Sequence, residues 1–459
     1  MLAERVNAVA RRLLSPFGIE PITPLAFAAF RTTFGLGLLY VQVAYEPFRA
    51  KAFDVRNPHG PLADTEWLYA MAMSHTAASI FQFVACAAAI LFIAGVFARL
   101  AYVVVVSMMF INVQMILTRT GGHDWGLPIM TLIVMTIVPW NEAPSLWQLR
   151  RSRKAFAAPR LASRVYGFAV WIPGLMMGLA FAAAAYAKVG GTGMRWITNG
   201  TVRYHFVEDG RNAPVTLGLW IATHERLSIA LSFAAVLVEA IFILVVFARD
   251  WKTRLGFGLM GASLMAGFTL LQGVAWWPWR VLFLALLPWT LLRSAEDTTP
   301  GTTSGGSIPS RPRDLTWAHA TLVVSLVGVQ IWASWKAVEM EPLISNYPMY
   351  ANTWPSPEEF NRRQARTQFE VDGADISGRI EGAAGDNLLR DMAAGHGDDA
   401  SSRELVARDL PRFTERYQRM YGDVPHDVDV VVVQRPFDWQ AGRYLPQTRE
   451  RIGTVHLSP

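Results

Sequence analysis

The sequence predicts an all-α polytopic membrane helix bundle of about nine spans with a small C-terminal α+β soluble domain. Three observations predict it. Hydrophobic residues make up 52% of the chain and charged residues 17%, against ~25% charged in an ordinary soluble domain, so something other than water must solvate much of it. Apolar runs of roughly 18–23 residues recur through the first three quarters, each long enough for a ~30 Å hydrocarbon core, and the last quarter has none. Many of the 17 tryptophans stand beside the ends of these runs, where amphipathic rings anchor at the membrane interface.

In chain order, residues 1–23 begin MLAERVNAVARRLL. They are basic and lack a continuous apolar stretch before a small-residue cleavage site, which reads as a short interfacial helix rather than a removable signal peptide. Windows of about 19 residues place spans at 24–45, 77–97, 99–117, 125–140, 166–187, 227–248, 255–275 and 277–293, a transmembrane domain covering 24–293. Residues 294–316, rich in Gly, Ser, Thr and Pro, read as a flexible inner linker, and 317–336 is the final span. Residues 337–459 form the soluble domain. It opens with PLISNYPMYANTWPSP, whose prolines are too close for a helix. QFEVDGADISGRIEG alternates as strands do across a turn, 402–421 has helical spacing, and VDVVVVQRPF and ERIGTVHL read as closing strands. No internal repeat is evident from the sequence.

Between 141 and 165, Arg150, Arg151, Arg153, Lys154, Arg160 and Arg164 outweigh a single Glu142, which marks that loop as cytoplasmic. Alternation then places Arg5, Arg11, Arg12, the Arg99 turn, the Arg249–Arg254 turn and Arg311–Arg313 inside too. The loops at 46–76, 118–124 and 188–226 fall outside. The expectation is a multi-pass cell-membrane protein with a cytoplasmic N-terminus and an extracytoplasmic C-terminal domain. Its partners are the lipid bilayer and, outside, a protein or peptide for that domain. The pI of about 9.5 follows from the inner arginines and calls for no nucleic-acid partner.

Charges inside spans are the informative exceptions, because an ionised group near the bilayer centre costs at least ~2.5 kcal/mol. Arg31 lies in the first span within FRTTFG, Glu239 in the sixth within LVEAIF, and Lys188 ends the fifth after AFAAAAYAK. Arg31 and Glu239 read as structural polar groups, either an ion pair or a hydrogen-bonded kink. Lys188 reads either as a lysine snorkelling from a helix end or as a general base. The chain uses few lysines, Lys51, Lys154, Lys188, Lys252 and Lys336, beside many arginines. Lysine can lose its proton and arginine cannot, as a general base requires. His123, in RTGGHDWGLP, opens the fourth span on the outer side. It is either an interfacial histidine or, because the fourth and fifth spans are joined by a modest loop and should be antiparallel neighbours, a companion of Lys188 in one pocket. AWWPWR at 275–280 reads as an interfacial aromatic belt. Cys86 is the sole cysteine, so an intrachain disulfide is excluded. The nine histidines have no metal-ligand spacing, and no protein-bound metal is expected. Nucleotide-binding and serine-hydrolase motifs are absent.

From about 24 to 292 the chain resembles the HTTM family, the membrane domain shared by vitamin K-dependent gamma-carboxylases and many bacterial proteins. The resemblance rests on FRTTFG at 30–35, a small-residue second span ending GVFAR, the outer His123 before the fourth span, and YAKVGG followed by Trp196 and Gly200. It implies a reduced naphthoquinone of the vitamin K type, with Lys188 as the base acting on it and His123 supporting that chemistry. Oxygen then adds to the quinol, a glutamate γ-proton is taken, carbon dioxide is captured, and the quinone leaves as an epoxide. The chain departs from the animal enzymes in a longer loop from Lys188 to Trp196, a seventh span (GLMGASLMAGFTLLQG) without histidine, and a much smaller outer domain. The leading expectation is a gamma-carboxylase-like, quinol-dependent membrane protein. Its rival is a non-catalytic membrane module anchoring an extracytoplasmic partner-binding domain. A transporter is disfavoured, since no inverted repeat or matched pair of broken helices is seen.

Overall fold

The computed structural model describes residues 2–44, 75–117, 123–157, 161–274, 276–292, 314–340, 344, 345, 347, 350–382, 385–394 and 400–457. Residues 46–74, expected as an outer loop, most of 118–124, residues 294–313 with Arg311 and Arg313, expected as a linker, and most of 341–349 lie outside them. The described chain is predominantly helical and carries a small sheet region at its C-terminal end.

Five helices are long and apolar enough to cross a membrane. They are α2 (Pro24–Ala44), α7 (Arg164–Thr192), α11 (Glu225–Phe242, prolonged by a 3-10 turn to Phe247), α12 (Trp251–Gln272) and α14 (Trp317–Lys336). Four shorter apolar helices accompany them: α3 (His75–Ala94), α4 (Ala98–Leu117), α5 (His123–Val134) and α13 (Trp277–Phe283). The termini follow local chemistry. Ser163 caps α7 by accepting the Val165 N–H at 3.2 Å, and Asp250 caps α12 by accepting the Thr253 N–H at 2.8 Å. Gly273, at φ 75°, closes α12 in the left-handed conformation.

The spans expected at 125–140 and 277–293 end early. α5 passes into a 3-10 turn at Met135–Ile137 and α13 into one at Leu284–Leu286, because Pro139 and Pro288 follow and cannot continue a helix. The basic 141–165 segment also holds a helix, α6 (Leu146–Ala157), and the segment after α7 holds three short ones, α8 (Arg195–Thr198), α9 (Val202–Asp209) and α10 (Leu217–Ala222). The N-terminal segment forms α1 (Leu2–Leu14), which packs on α14.

Two segments share motif and geometry, an order the sequence reading missed. Phe92-Ile93 and Val96-Phe97-Ala98-Arg99 match Phe242-Ile243 and Val246-Phe247-Ala248-Arg249 at a constant offset. Some forty residues on, Val138-Pro139-Trp140 matches Leu287-Pro288-Trp289. Pro139 and Pro288 have the same backbone angles, φ −80° with ψ 64° and φ −79° with ψ 63°. Each following indole N–H donates to the carbonyl five residues back, Trp140 to Met135 at 3.2 Å and Trp289 to Leu284 at 3.0 Å. The units α3–α4–α5 and α11–α12–α13 are therefore built alike. α5 and α13 lie side by side, with Pro128 and Pro278 lining one cavity between them.

The C-terminal part is a four-stranded antiparallel sheet, ordered with β4 (Ala374–Asp375) at one edge, then β3 (Arg366–Val371), β5 (Asp427–Gln434) and β8 (Thr448–His456). Four two-residue pieces lie outside it: β1 (Glu339–Met340) and β2 (Ile344–Ser345) pair with each other, and β6 (Phe437–Asp438) pairs with β7 (Arg443–Tyr444). The tight turn at Asp372-Gly373 has φ 51° and 79°, the left-handed pair that Asp-Gly favours between hairpin strands. Val428 and Val430 of β5 and Phe369 of β3 face Ile380, Leu389, Phe413 and Tyr417. Those come from α16 (Ser377–Gly382), α17 (Asp386–Ala393) and α18 (Ala400–Tyr421), so helices cover one sheet face.

This domain is fastened to the helical part by aromatic packing. Tyr204 and Val207 of α9 join Trp354, Phe437 and Phe360, the last on α15 (Pro357–Arg363), in one buried cluster. The Tyr444 hydroxyl donates to the Val207 carbonyl at 2.6 Å.

Candidate functional site

The site grows from the end of α7. Its small-residue run Ala183-Ala184-Ala185 is buried and lets α11 approach closely. Lys188 follows on the same stretch, about 36 Å along the helix from Arg164 at 1.5 Å per residue, yet it does not snorkel to solvent. It is 2% exposed, and its Nζ donates to both carboxylate oxygens of Glu239 on α11, at 2.7 and 2.8 Å. Glu239 is 3% exposed. The Trp196 ring of α8 walls the pair, with its centroid 5.4 Å from Nζ, and Trp196 packs with Ala185, Ile197 and Val236. The ammonium is thus held by one bidentate carboxylate and one aromatic face.

Glu239 and Arg31 are not partners. Arg31, wholly buried on α2, donates from Nη1 to the Ala143 carbonyl and from Nη2 to the Pro144 carbonyl, both at 2.9 Å. It ties α2 to the turn that follows Trp140. Gly95, at φ 77°, faces the guanidinium so closely that a Cβ there would collide with it.

α5 packs against α7. His123 is the first residue of α5, and its side chain lies outside the described residues.

No family model, no curated protein and no solved structure matches this chain.

A second polar cluster, which the sequence reading passed over as outer loop, adjoins the first. The Trp196 indole N–H donates to the Tyr350 carbonyl at 2.7 Å, and the Tyr350 ring lies edge-on to the His205 ring of α9 at 4.6 Å. His205 is 2% exposed; Trp354 stands 5.1 Å away, and the Glu208 carboxylate is 3.5 Å from Nδ1. Burial, reinforced by the charge of Glu208, pushes the Asp209 carboxyl up to about 6. Burial, then Asp209 beside it, raises the Tyr350 phenol above its ordinary range. His205, Glu208 and Asp209 stand at i, i+3 and i+4 on one turn between Gly200 and Gly210, a spacing that puts them on one helical face.

In the folded protein Asp209 binds its proton more tightly than in the unfolded chain, so stability falls as pH rises from about 4 towards 6. Asp209→Asn is expected to stabilise the protein at pH 7 by about 1–2 kcal/mol, below the full value of the shift because the group is only part-buried. Little gain is expected at pH 4.5. Thermal melts of both proteins at the two pH values check it, and an equal gain at both would refute the protonation account.

The C-terminal sheet region brings together residues with no sequence spacing to betray them. Asp427 and His456 are directly opposed across β5 and β8. The His426 and His456 Nδ1 atoms stand 2.9 and 2.6 Å from the same Asp427 oxygen. All three side chains are exposed, with one ligand atom of each lying within 4.8 Å of the others. Hydrogen bonds from the two histidines hold the Asp427 carboxyl below its usual range.

Proposed function

We propose that this chain is a nine-span membrane protein, N-terminus cytoplasmic and C-terminal domain extracytoplasmic, in which Lys188 is a general base acting on a reduced naphthoquinone. The observation that carries the reading is the buried Lys188–Glu239 pair, far from solvent and bounded by an aromatic wall. A buried ion pair is weak evidence of stability design, because desolvation offsets much of its Coulomb energy, whereas a pair able to exchange its proton is well suited to proton transfer. If the proton passes from Nζ to the Glu239 carboxylate, a neutral amine and a neutral acid remain. The amine then takes the quinol hydroxyl proton, and Glu239 stores the one displaced. One quinol and one oxygen molecule yield one quinone epoxide and one water, so electrons and atoms balance without a metal. His123, at the start of the neighbouring α5, is the companion that orients the quinol. The resemblance of FRTTFG and YAKVGG to gamma-carboxylase-like membrane domains supports this class of chemistry.

A second reading has its own support. The aromatic cluster at Tyr204, Trp354, Phe360 and Phe437 packs the C-terminal domain against α9. That domain carries a concavity of about 480 Å³ lined by Arg379, Asp375, Asp423 and Tyr417. Both features suit a membrane module that presents a domain to a protein or peptide partner.

The experiment is oxygen uptake and epoxide formation by protein in lipid discs given a reduced naphthoquinol, for wild type, Lys188→Arg and Glu239→Gln. Under the catalytic reading Lys188→Arg keeps the charge and loses turnover by at least ~100-fold, the low end of what general-base catalysis supplies. Background turnover in the wild type would transfer the weight to the presenting module.

A further inference from the structure

His426, Asp427 and His456 form a cluster that neither the quinol chemistry nor the presentation of a domain uses. The sheet fixes where each side chain begins. Asp427 and His456 are a directly opposed pair of β5 and β8, and the next pair, Val428 and Val455, is buried in the helix-covered core. Side chains alternate along a strand, so Asp427 and His456 project together from the other face. His426 precedes β5, and its carbonyl accepts the Leu457 N–H at 2.7 Å, which extends the ladder one rung and holds the second imidazole at the same end. Both Nδ1 atoms converge on one Asp427 oxygen, at 2.9 Å from His426 and 2.6 Å from His456.

The partners of β8 differ along its length. Arg449 pairs with Glu370 of β3 and Arg451 with Asp429 of β5, whereas Asp427 meets two imidazoles and, among the described residues, no arginine or lysine. A guanidinium has no lone pair to give to a metal, and a neutral imidazole is the commonest metal ligand. As ion pairs alone these groups contribute little, because all three side chains are more than half exposed.

We propose that His426, Asp427 and His456 bind one divalent transition metal of the zinc class, through one nitrogen of each imidazole and a carboxylate oxygen, with water in the remaining positions. Two imidazoles and a carboxylate suit zinc, copper or nickel and are too poor in oxygen for calcium or magnesium. Four-coordinate zinc, with its ligands at about 2.0–2.2 Å, keeps the ligand atoms about 3.3 Å apart. One ligand atom of each residue lies within 4.8 Å of the others, and χ rotation of exposed side chains takes up the difference. The ion joins the chain entering β5 to the edge strand β8. The proposal does not rest on Lys188, because metal binding is read without turnover.

Zinc binding is measured by isothermal titration calorimetry on the full-length protein in lipid discs, with any histidine tag removed and empty discs as the blank. Wild type is expected to show a saturable zinc site that excess magnesium does not displace. His426→Ala and His456→Ala are each expected to weaken it at least ~10-fold, the least that disturbing even an outer-shell partner costs a metal site. His224→Ala, which removes an exposed histidine outside the cluster, should bind as wild type does. The altered side chains are exposed, so all three variants should fold, and circular dichroism checks this. No saturable site in wild type, displacement by magnesium, wild-type affinity in either cluster variant, or an equal loss in His224→Ala overturns the proposal and leaves a hydrogen-bonded surface triad.

Discussion

Lys188→Met alone is expected to destabilise the protein by about 3–5 kcal/mol, and Lys188→Met with Glu239→Leu to recover most of that loss. The single variant strands the Glu239 carboxylate at 3% exposure beside Trp196 and Val236, with no other cation against it among the described residues. The double variant removes both charges and fills the space with apolar atoms of similar volume, which experience with buried ion pairs finds neutral or better. Thermal unfolding in lipid discs of the two singles and the double gives the coupling directly as a double-mutant cycle. Stability and turnover should part company. The double variant should come close to wild type in stability and be as inactive as Lys188→Arg in the quinol assay. A stable double variant that still turns over quinol removes Lys188 from the chemistry. A double variant no more stable than the singles means that the pair holds together something beyond itself.

What the sequence disclosed depended on whether a signal was local. Long apolar runs identify α2, α7, α11, α12 and α14, because length against membrane thickness needs no tertiary information. The Asp372-Gly373 turn with its flanking strands was legible for the same reason, turn chemistry being a dipeptide property. The early ends of α5 and α13 were in principle legible from Pro139 and Pro288, but hydropathy averaged over a window smooths across a proline. The recurrence of VFAR and of Pro-Trp was present in the letters. It acquired meaning only when both prolines were found at the same backbone angles with the same indole hydrogen bond.

The candidate site was half legible. Lys188 and Glu239 stood out as charges inside apolar runs, but pairing them requires the packing of α7 on α11, and they lie 51 positions apart. Arg31 stood out equally, and its partners are backbone carbonyls, which no side-chain pattern reveals. His205 and Asp209 gave no warning beyond their helical spacing, because the residues that bury them, Tyr350 and Trp354, arrive from more than a hundred residues away.

Gly95→Ala is expected to destabilise the helical domain by about 3 kcal/mol or more. Two independent terms add. The residue sits at φ 77°, where an L side chain is strained by roughly 1–2 kcal/mol. The new Cβ would also displace the Arg31 guanidinium, whose two 2.9 Å hydrogen bonds satisfy the Ala143 and Pro144 carbonyls, and buried groups left unpaired cost about 1–3 kcal/mol each. Arg31→Met relieves the collision but leaves both carbonyls without their donor, so it should cost about as much as the glycine change. The two effects share one cause. In the Gly95→Ala/Arg31→Met double variant the collision is gone and the carbonyls are already orphaned, so the loss should fall well short of the sum of the singles. Melting temperatures of the four proteins measure this. Strict additivity would mean that Gly95 serves only its own turn, and that Arg31 does not brace the α3–α4 hairpin against the segment after Trp140.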